Sequence, residues 1–126
     1  MRPNIIFYFS DQQRWDTVNE TVTPNLMKLA ENGVNFTNSY TCQPVCGPAR
    51  ACLQTGLYAT QNQCYWNGIP LPSDITPLAH YFNEAGYETA YIGKWHLASN
   101  RLPGIGLHCE STAIPKNKQG EYQYFR

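Results

Sequence analysis

The chain has 126 residues, room for one domain and hardly for two. Nine basic and nine acidic side chains cancel to a formal net charge of 0, which argues against a nucleic-acid or anionic-membrane surface built on bulk charge. Only 14% of residues are charged and 42% are hydrophobic, with three Trp, nine Tyr and five Phe, so the composition suits a packed core and speaks against global disorder.

The first predicted element is the longest apolar run, Asn4 to Ser10, with Ile5-Ile6-Phe7-Tyr8-Phe9 at its centre. It is far shorter than the roughly 20 residues of a membrane helix. It reads as a strand buried on both faces, as in a parallel sheet. Met1-Arg2-Pro3 leads straight into it without a signal-peptide pattern, so the expected location is cytoplasmic. Asp11-Gln12-Gln13-Arg14 follows at the strand's C-terminal end. Thr23-Pro24 then predicts a helix start, with Leu26, Leu29 and Ala30 as an apolar stripe and Gly33 as the stop. Val34 to Tyr40 alternates apolar and polar residues and predicts a second strand.

Cys42 to Pro48 reads as loop, with Pro48 starting a short helix that ends near Gly56. Residues 57–74, rich in Asn, Gln, Pro and Gly, predict a long surface loop. Thr76-Pro77 repeats the cap-plus-proline signal for a helix over Leu78 to Ala85, stopped by Gly86. Tyr87 to Ile92 predicts a third strand, with Gly93-Lys94-Trp95-His96 at its C-terminal end. From Ala98 onward no periodicity is evident. Alternating strands and helices argue for an α/β layer structure, whose sites form at the C-terminal ends of strands. Asp11, Gln12, Lys94 and His96 all fall at such ends.

The cysteines are Cys42, Cys46, Cys52, Cys64 and Cys109. An odd count without an export signal makes a disulfide framework improbable, and no CxxC pair supports structural zinc. Most of them read as small buried residues. Cys46 stands apart. Placed just before a helix start, it faces backbone N–H donors and the positive end of the helix dipole, and Arg50 lies one turn on along the same face. Such surroundings favour an anion. Read singly, Asp11 caps a turn, Lys94 is a solvated charge and His96 is a packed histidine. Trp95 reads as packing, and neither His80 nor His108 is assigned a role.

Cys46-x-Pro48-x-Arg50, followed by Leu53, Thr55 and Gly56, resembles the signature of the type I sulfatases. Asn4-Ile5-Ile6-Phe7 through Asp11-Gln12-Gln13-Arg14 is similar to that family's first strand and metal loop. Thr23-Pro24-Asn25-Leu26, Gly33-Val34-Asn35-Phe36 and Tyr91-Ile92-Gly93-Lys94-Trp95-His96-Leu97 are family-like too, and in the family's order. The resemblance covers residues 4–98 well. It implies an alkaline-phosphatase-like α/β fold, with residues 1–126 as the N-terminal portion of a catalytic domain whose mostly parallel sheet is flanked by helices.

The implied activity is hydrolysis of a sulfate ester to an alcohol and sulfate. Its implied cofactors are a Cα-formylglycine made from Cys46 by a sulfatase-maturing enzyme and a divalent cation, Ca²⁺ first, with Mg²⁺ or Mn²⁺ as alternatives. Asp11, Gln12 and the oxidised Cys46 would be metal ligands. Cys46 would also be the nucleophile, Arg50 would hold it and screen its charge, Lys94 would bind sulfate oxygens, and His96 would take a proton from the hydrated aldehyde. The implied substrate is a sulfated small molecule or sugar, with no nucleic-acid or membrane partner; the oligomeric state stays open.

The chain departs from the family pattern at Gln12, where many members have Asp, at Met27, where Asp is common, and in a short connection from Asp16 to Val22. Complete members are several-fold longer and draw further ligands from downstream, so this piece alone is expected to be inactive. The alternatives are a formylglycine-type phosphonate monoester or phosphodiester hydrolase and a non-catalytic, truncated sulfatase-like module.

Overall fold

The computed structural model describes residues 2–98 and 114–126. Cys109 and His108 lie outside the described residues. The chain divides into two compact units, Met1–Tyr40 and Thr41–Arg126.

The first unit contains a turn of 3₁₀-helix, Trp15–Thr17, and one α-helix, α1 (Pro24–Glu31). Proline occupies the first turn of α1, where its missing N–H costs nothing, as expected. Thr23 precedes it but makes no side-chain cap. Its hydroxyl instead accepts from the Asn19 amide at 3.1 Å, inside a turn that the Asn19 side chain also braces at Thr21 and Val22. The helix stops at Asn32, one residue short of Gly33.

The two strands expected in this unit do not form. Residues 4–10 and 34–40 carry no strand hydrogen bonding. Ile6 is 91% exposed, and Val34, Phe36 and Tyr40 are exposed as well. A strand is not stable by itself: its N–H and C=O groups need neighbours on both edges, and its side chains need covered faces. The apolar pattern is present without a ladder to join.

The second unit has a core. Helix α2 (Cys46–Thr55) begins two residues before the expected Pro48, so Cys46 is its first residue and Val45 the N-cap. Ala49, Arg50, Ala51, Leu53 and Gln54 are good helix formers. Gly56 ends the helix at φ 68°, its N–H returning 2.8 Å to the Cys52 carbonyl. The 57–74 stretch is no simple surface loop. It holds a single turn, α3 (Ala59–Asn62), and the buried Asn62 and Cys64. The Asn62 amide is satisfied in place, donating to the Leu57 carbonyl at 3.2 Å and accepting from the Cys64 N–H at 2.9 Å.

Helix α4 (Leu78–Glu84) starts at Leu78 as expected, with Pro77 rather than Thr76 as its N-cap, and Gly86 follows its end at φ 76°. The third expected strand shrinks to β1 (Ala90–Tyr91). It pairs in parallel with β2 (Tyr124–Phe125), Ala90 opposite Tyr124 and Tyr91 opposite Phe125. β2 lies in the tail that showed no periodicity; two residues are too few to show any. Around this ladder Ala51, Cys64, Tyr91, Trp95 and Leu97 form the core, with Ile69, Leu71, Tyr122 and Phe125 packed on it. Tyr91 stacks on Phe125 at 5.3 Å between ring centres and meets Trp95 edge-on at 4.9 Å. Such aromatic contacts add about 0.5–1.5 kcal/mol beyond area burial. The α/β character and the parallel pairing are thus realised in the second unit.

Candidate active site

The site is built where the N-terminus of α2 meets the turn that leaves β1. Gly93 (φ 117°) and His96 (φ 59°) both take positive-φ backbone in the bend that follows the strand. Glycine does this freely; histidine does so at a cost. The turn is held from four sides. Arg50 Nη1 donates to the Lys94 carbonyl. The Gly93 N–H donates to the Arg126 carbonyl at 2.8 Å, and the Leu71 N–H to the Leu97 carbonyl at 2.9 Å. The indole Nε1 of Trp95 donates to the Lys118 carbonyl at 2.9 Å. A non-glycine residue held left-handed by its surroundings is a recurrent mark of functional sites.

Arg50 is 5% exposed. A buried guanidinium needs partners for its donors. Besides the Lys94 carbonyl, Nη1 donates to the Tyr91 hydroxyl at 3.2 Å, and that hydroxyl donates in turn to the same carbonyl. Helix, strand and turn therefore share one polar knot. Its effect is to fix Lys94, whose side chain is exposed, and His96, both of whose ring nitrogens are sheltered from water.

The donors at the head of α2 are not free for a ligand in the way expected. Val45 offers no side-chain cap. The Gly47 N–H is taken by Asn67 Oδ1 at 2.8 Å, Pro48 has no N–H, and the Ala49 N–H returns to the Val45 carbonyl at 2.8 Å. Positive charge for an anion at this point comes chiefly from the Arg50 and Lys94 side chains. Space at Gly47 is tight: a Cβ there would stand 3.1 Å from Asn67 Oδ1, which would have to give by a few tenths of an ångström, and 3.5 Å from the His96 carbonyl oxygen. That close approach seats the turn on the helix.

Cys46, Arg50, Lys94 and His96 are therefore brought together in the second unit. Asp11 and Gln12 belong to the first unit. Both are exposed, in a bend where Gln12 takes φ 57°. Four described residues other than glycine have positive φ, namely Gln12, Gln63, His96 and Glu121, and two of them are predicted site residues. The bend is fixed by the Ser10 hydroxyl on Gln13 Oε1 and by Arg14 paired with Asp16, Nε to Oδ1 3.0 Å. The carboxylate of Asp11 and the amide oxygen of Gln12 are hard donors, a set that suits Ca²⁺ or Mg²⁺.

The thiols separate by environment. Of the four described cysteines only Cys64 is buried, so the expectation that most are buried fails. Burial pushes the Cys64 thiol up to about 11, with the charge of Cys52 adding to it. Cys52 is also raised, first by burial and then by the neighbouring Cys42 thiol. Cys46 is half-exposed at the first helical position. Two residues that shape the site escaped the sequence reading. Tyr91 was read as a strand residue and as the start of a family-like stretch but given no role, although a buried tyrosine needs a partner for its hydroxyl. Asn67 was hidden in the 57–74 stretch, which its Asn, Gln, Pro and Gly content marked only as a long surface loop.

Comparison with known proteins bears on the same residues. The family model described as Sulfatase matches residues 3–104. The chain is similar to the uncharacterized sulfatase YidJ of Escherichia coli, 42% identical over 110 residues, covering 83% of this chain and 22% of that protein. It is similar to an ulvan-active sulfatase of Formosa agariphila, 36% identical over 130 residues, with 99% and 24% covered. An N-acetylglucosamine-6-O-sulfatase of Bacteroides thetaiotaomicron is 34% identical over 126 residues, with 96% and 22% covered. The chain spans about a quarter of the length of these curated relatives.

Proposed function

The chain belongs to the sulfatase family, and from that premise we propose that its protein hydrolyses a sulfate ester to an alcohol and sulfate. The observation that carries the reading is the Arg50 knot, which locks the signature helix to the Gly93–His96 turn. Cys46 opens that helix, and Lys94 and His96 stand in that turn, which supports a shared site.

We further propose that Cys46 is oxidised to formylglycine by a maturation enzyme and that the complete fold is alkaline-phosphatase-like. When present, the hydrated aldehyde supplies a hydroxyl nucleophile and a second hydroxyl whose deprotonation restores the aldehyde. Arg50 holds this residue and offsets charge developing on it. Lys94, whose side chain is exposed, binds oxygens of the sulfuryl group. A nitrogen of the His96 ring, screened from bulk water, takes the proton. Asp11 and Gln12 contribute oxygen ligands to a divalent cation, Ca²⁺ first. When bound, such a cation acidifies an oxygen nucleophile and offsets the charge of the transferring group. Two side chains supply only part of the roughly six to eight oxygens that Ca²⁺ takes. The substrate class is a sulfated sugar or small molecule.

The test is the peptide mass across Cys46 after production beside a sulfatase-maturing enzyme, together with turnover of matched sulfate and phosphate esters by the full-length protein. An aldehyde at position 46 and preference for the sulfate ester are expected. A persistent thiol, with a control sulfatase oxidised in the same cells, overturns the formylglycine assignment. Preference for the phosphate ester overturns the substrate assignment.

A further inference from the structure

The first turn of α2 carries the residue proposed to react; the Ala49 N–H holds it locally on the Val45 carbonyl at 2.8 Å, while the Gly47 N–H bonds to a remote segment. Val45, at the N-cap, has no side-chain acceptor. Gly47 is buried, and a buried N–H needs a partner. The partner is Asn67, twenty residues along the chain, whose Oδ1 accepts from it at 2.8 Å. The Gly47 N–H belongs to the peptide plane that also contains the Cys46 carbonyl. Holding that N–H fixes the plane, and the plane fixes the direction in which the Cys46 side chain leaves the helix. The His96 carbonyl lies on that same side, 3.5 Å from where a Gly47 Cβ would stand. Asn67 and the His96 backbone thus both lie against Gly47.

We infer that Asn67 is a positioning residue for Cys46: as a cap reaching α2 from a distant segment, it orients the reactive side chain towards Arg50 and Lys94 without itself touching substrate. The inference rests on the proposed role of Cys46. Small displacements of a reacting group are costly, about 100-fold for an error near 1 Å, so the expected effect falls on turnover rather than on binding.

The experiment uses the full-length, matured protein, with the formylglycine content of every variant measured by peptide mass so that rates are counted per oxidised site. Asn67→Ala removes the acceptor. Asn67→Asp keeps an oxygen that accepts from an N–H. On an aryl sulfate, Asn67→Ala is expected to lower kcat about 10- to 100-fold with KM nearly unchanged, and Asn67→Asp to recover most of that loss. Hydrogen–deuterium exchange of the Gly47 amide is expected to quicken in Asn67→Ala and not in Asn67→Asp. This readout does not depend on activity, so it still decides the inference if the protein proves not to hydrolyse sulfate esters. Unchanged Gly47 exchange in Asn67→Ala overturns the inference. So does an effect on KM alone, or an equal loss of kcat in both variants, which would mark a role for the amide nitrogen instead.

Discussion

The two units of the chain have similar sequence grammar and opposite outcomes. Residues 1–40 contain the most apolar run in the protein, yet none of the described residues there is buried. Residues 41–126 are interrupted by prolines, glycines and amides, yet they hold the whole described core. The difference lies in partners. Tyr91 finds Phe125, Trp95 and Tyr122 around it, while Ile6 and Phe36 stay exposed. Apolar content supplies a reason for burial; only a neighbouring surface supplies the burial.

The comparison can be broken most directly at its extremes. Trp95 is 3% exposed. Trp95→Ala is expected to destabilise the 126-residue chain by about 3–5 kcal/mol, while Ile6→Ser changes it by no more than about 0.5 kcal/mol, as an exposed site should. Urea unfolding of both variants measures this, and equal losses would erase the contrast between the units.

Gly120 offers a finer probe. It sits at φ 62°, and a Cβ there would stand 2.5 Å from Trp95 Cη2. Gly120→Ala is expected to cost about 2–3 kcal/mol through overpacking against the indole. A fluorescence-monitored melt reports it, and a neutral result would mean that the tail does not pack on Trp95.

Tyr91→Phe keeps the ring stack and deletes the hydroxyl that accepts from Arg50. The expected loss is about 1 kcal/mol, with a larger effect on turnover in the full-length protein. Stability and kcat measured together separate the packing role of Tyr91 from its hold on Arg50.

The smallest effect expected is at His80, whose Nδ1 lies 2.8 Å from Glu121 Oε2 on an exposed face. The hydrogen bond it makes to the Glu121 carboxylate raises its pKa first; desolvation opposes next, and the charges of Glu121 and Glu84 add to the rise. The folded value is above the unfolded one, so this contribution is complete below the unfolded value, about 6.5, and fades as pH rises through the folded value. The urea midpoint is expected to be slightly higher at pH 6 than at pH 8. The difference should shrink in Glu121→Gln and in high salt. Unchanged pH dependence in Glu121→Gln would show that the pair contributes nothing.

Local signals were legible where the chain decides its own conformation. Pro24 at the start of α1, Gly56 at the end of α2 and Gly86 after α4 stand where the residue types demand, because capping and left-handed turns depend on a few neighbouring groups. The spacing of Cys46 and Arg50 put both on one helical face, and Lys94 and His96 follow a strand end as expected. The strands at 4–10 and 34–40 were misread because period and apolarity describe what a strand would bury, not whether a partner is there. β2 was unreadable for the opposite reason: at two residues it exists only through its pairing with β1.

The sequence by itself thus determined the limits of α1, α2 and α4 to within two residues, though not α3, the order of the chemically distinctive residues and the family they belong to. All three depend on short-range stereochemistry or on spacing along the chain. Tertiary structure alone decided that Arg50 would be buried against Lys94 and Tyr91, that His96 would be held left-handed, and that Asn67 would cap a helix twenty residues away. Each of these is a contact between remote segments, made because a buried polar group must find a partner and the nearest one in space was not the nearest in sequence.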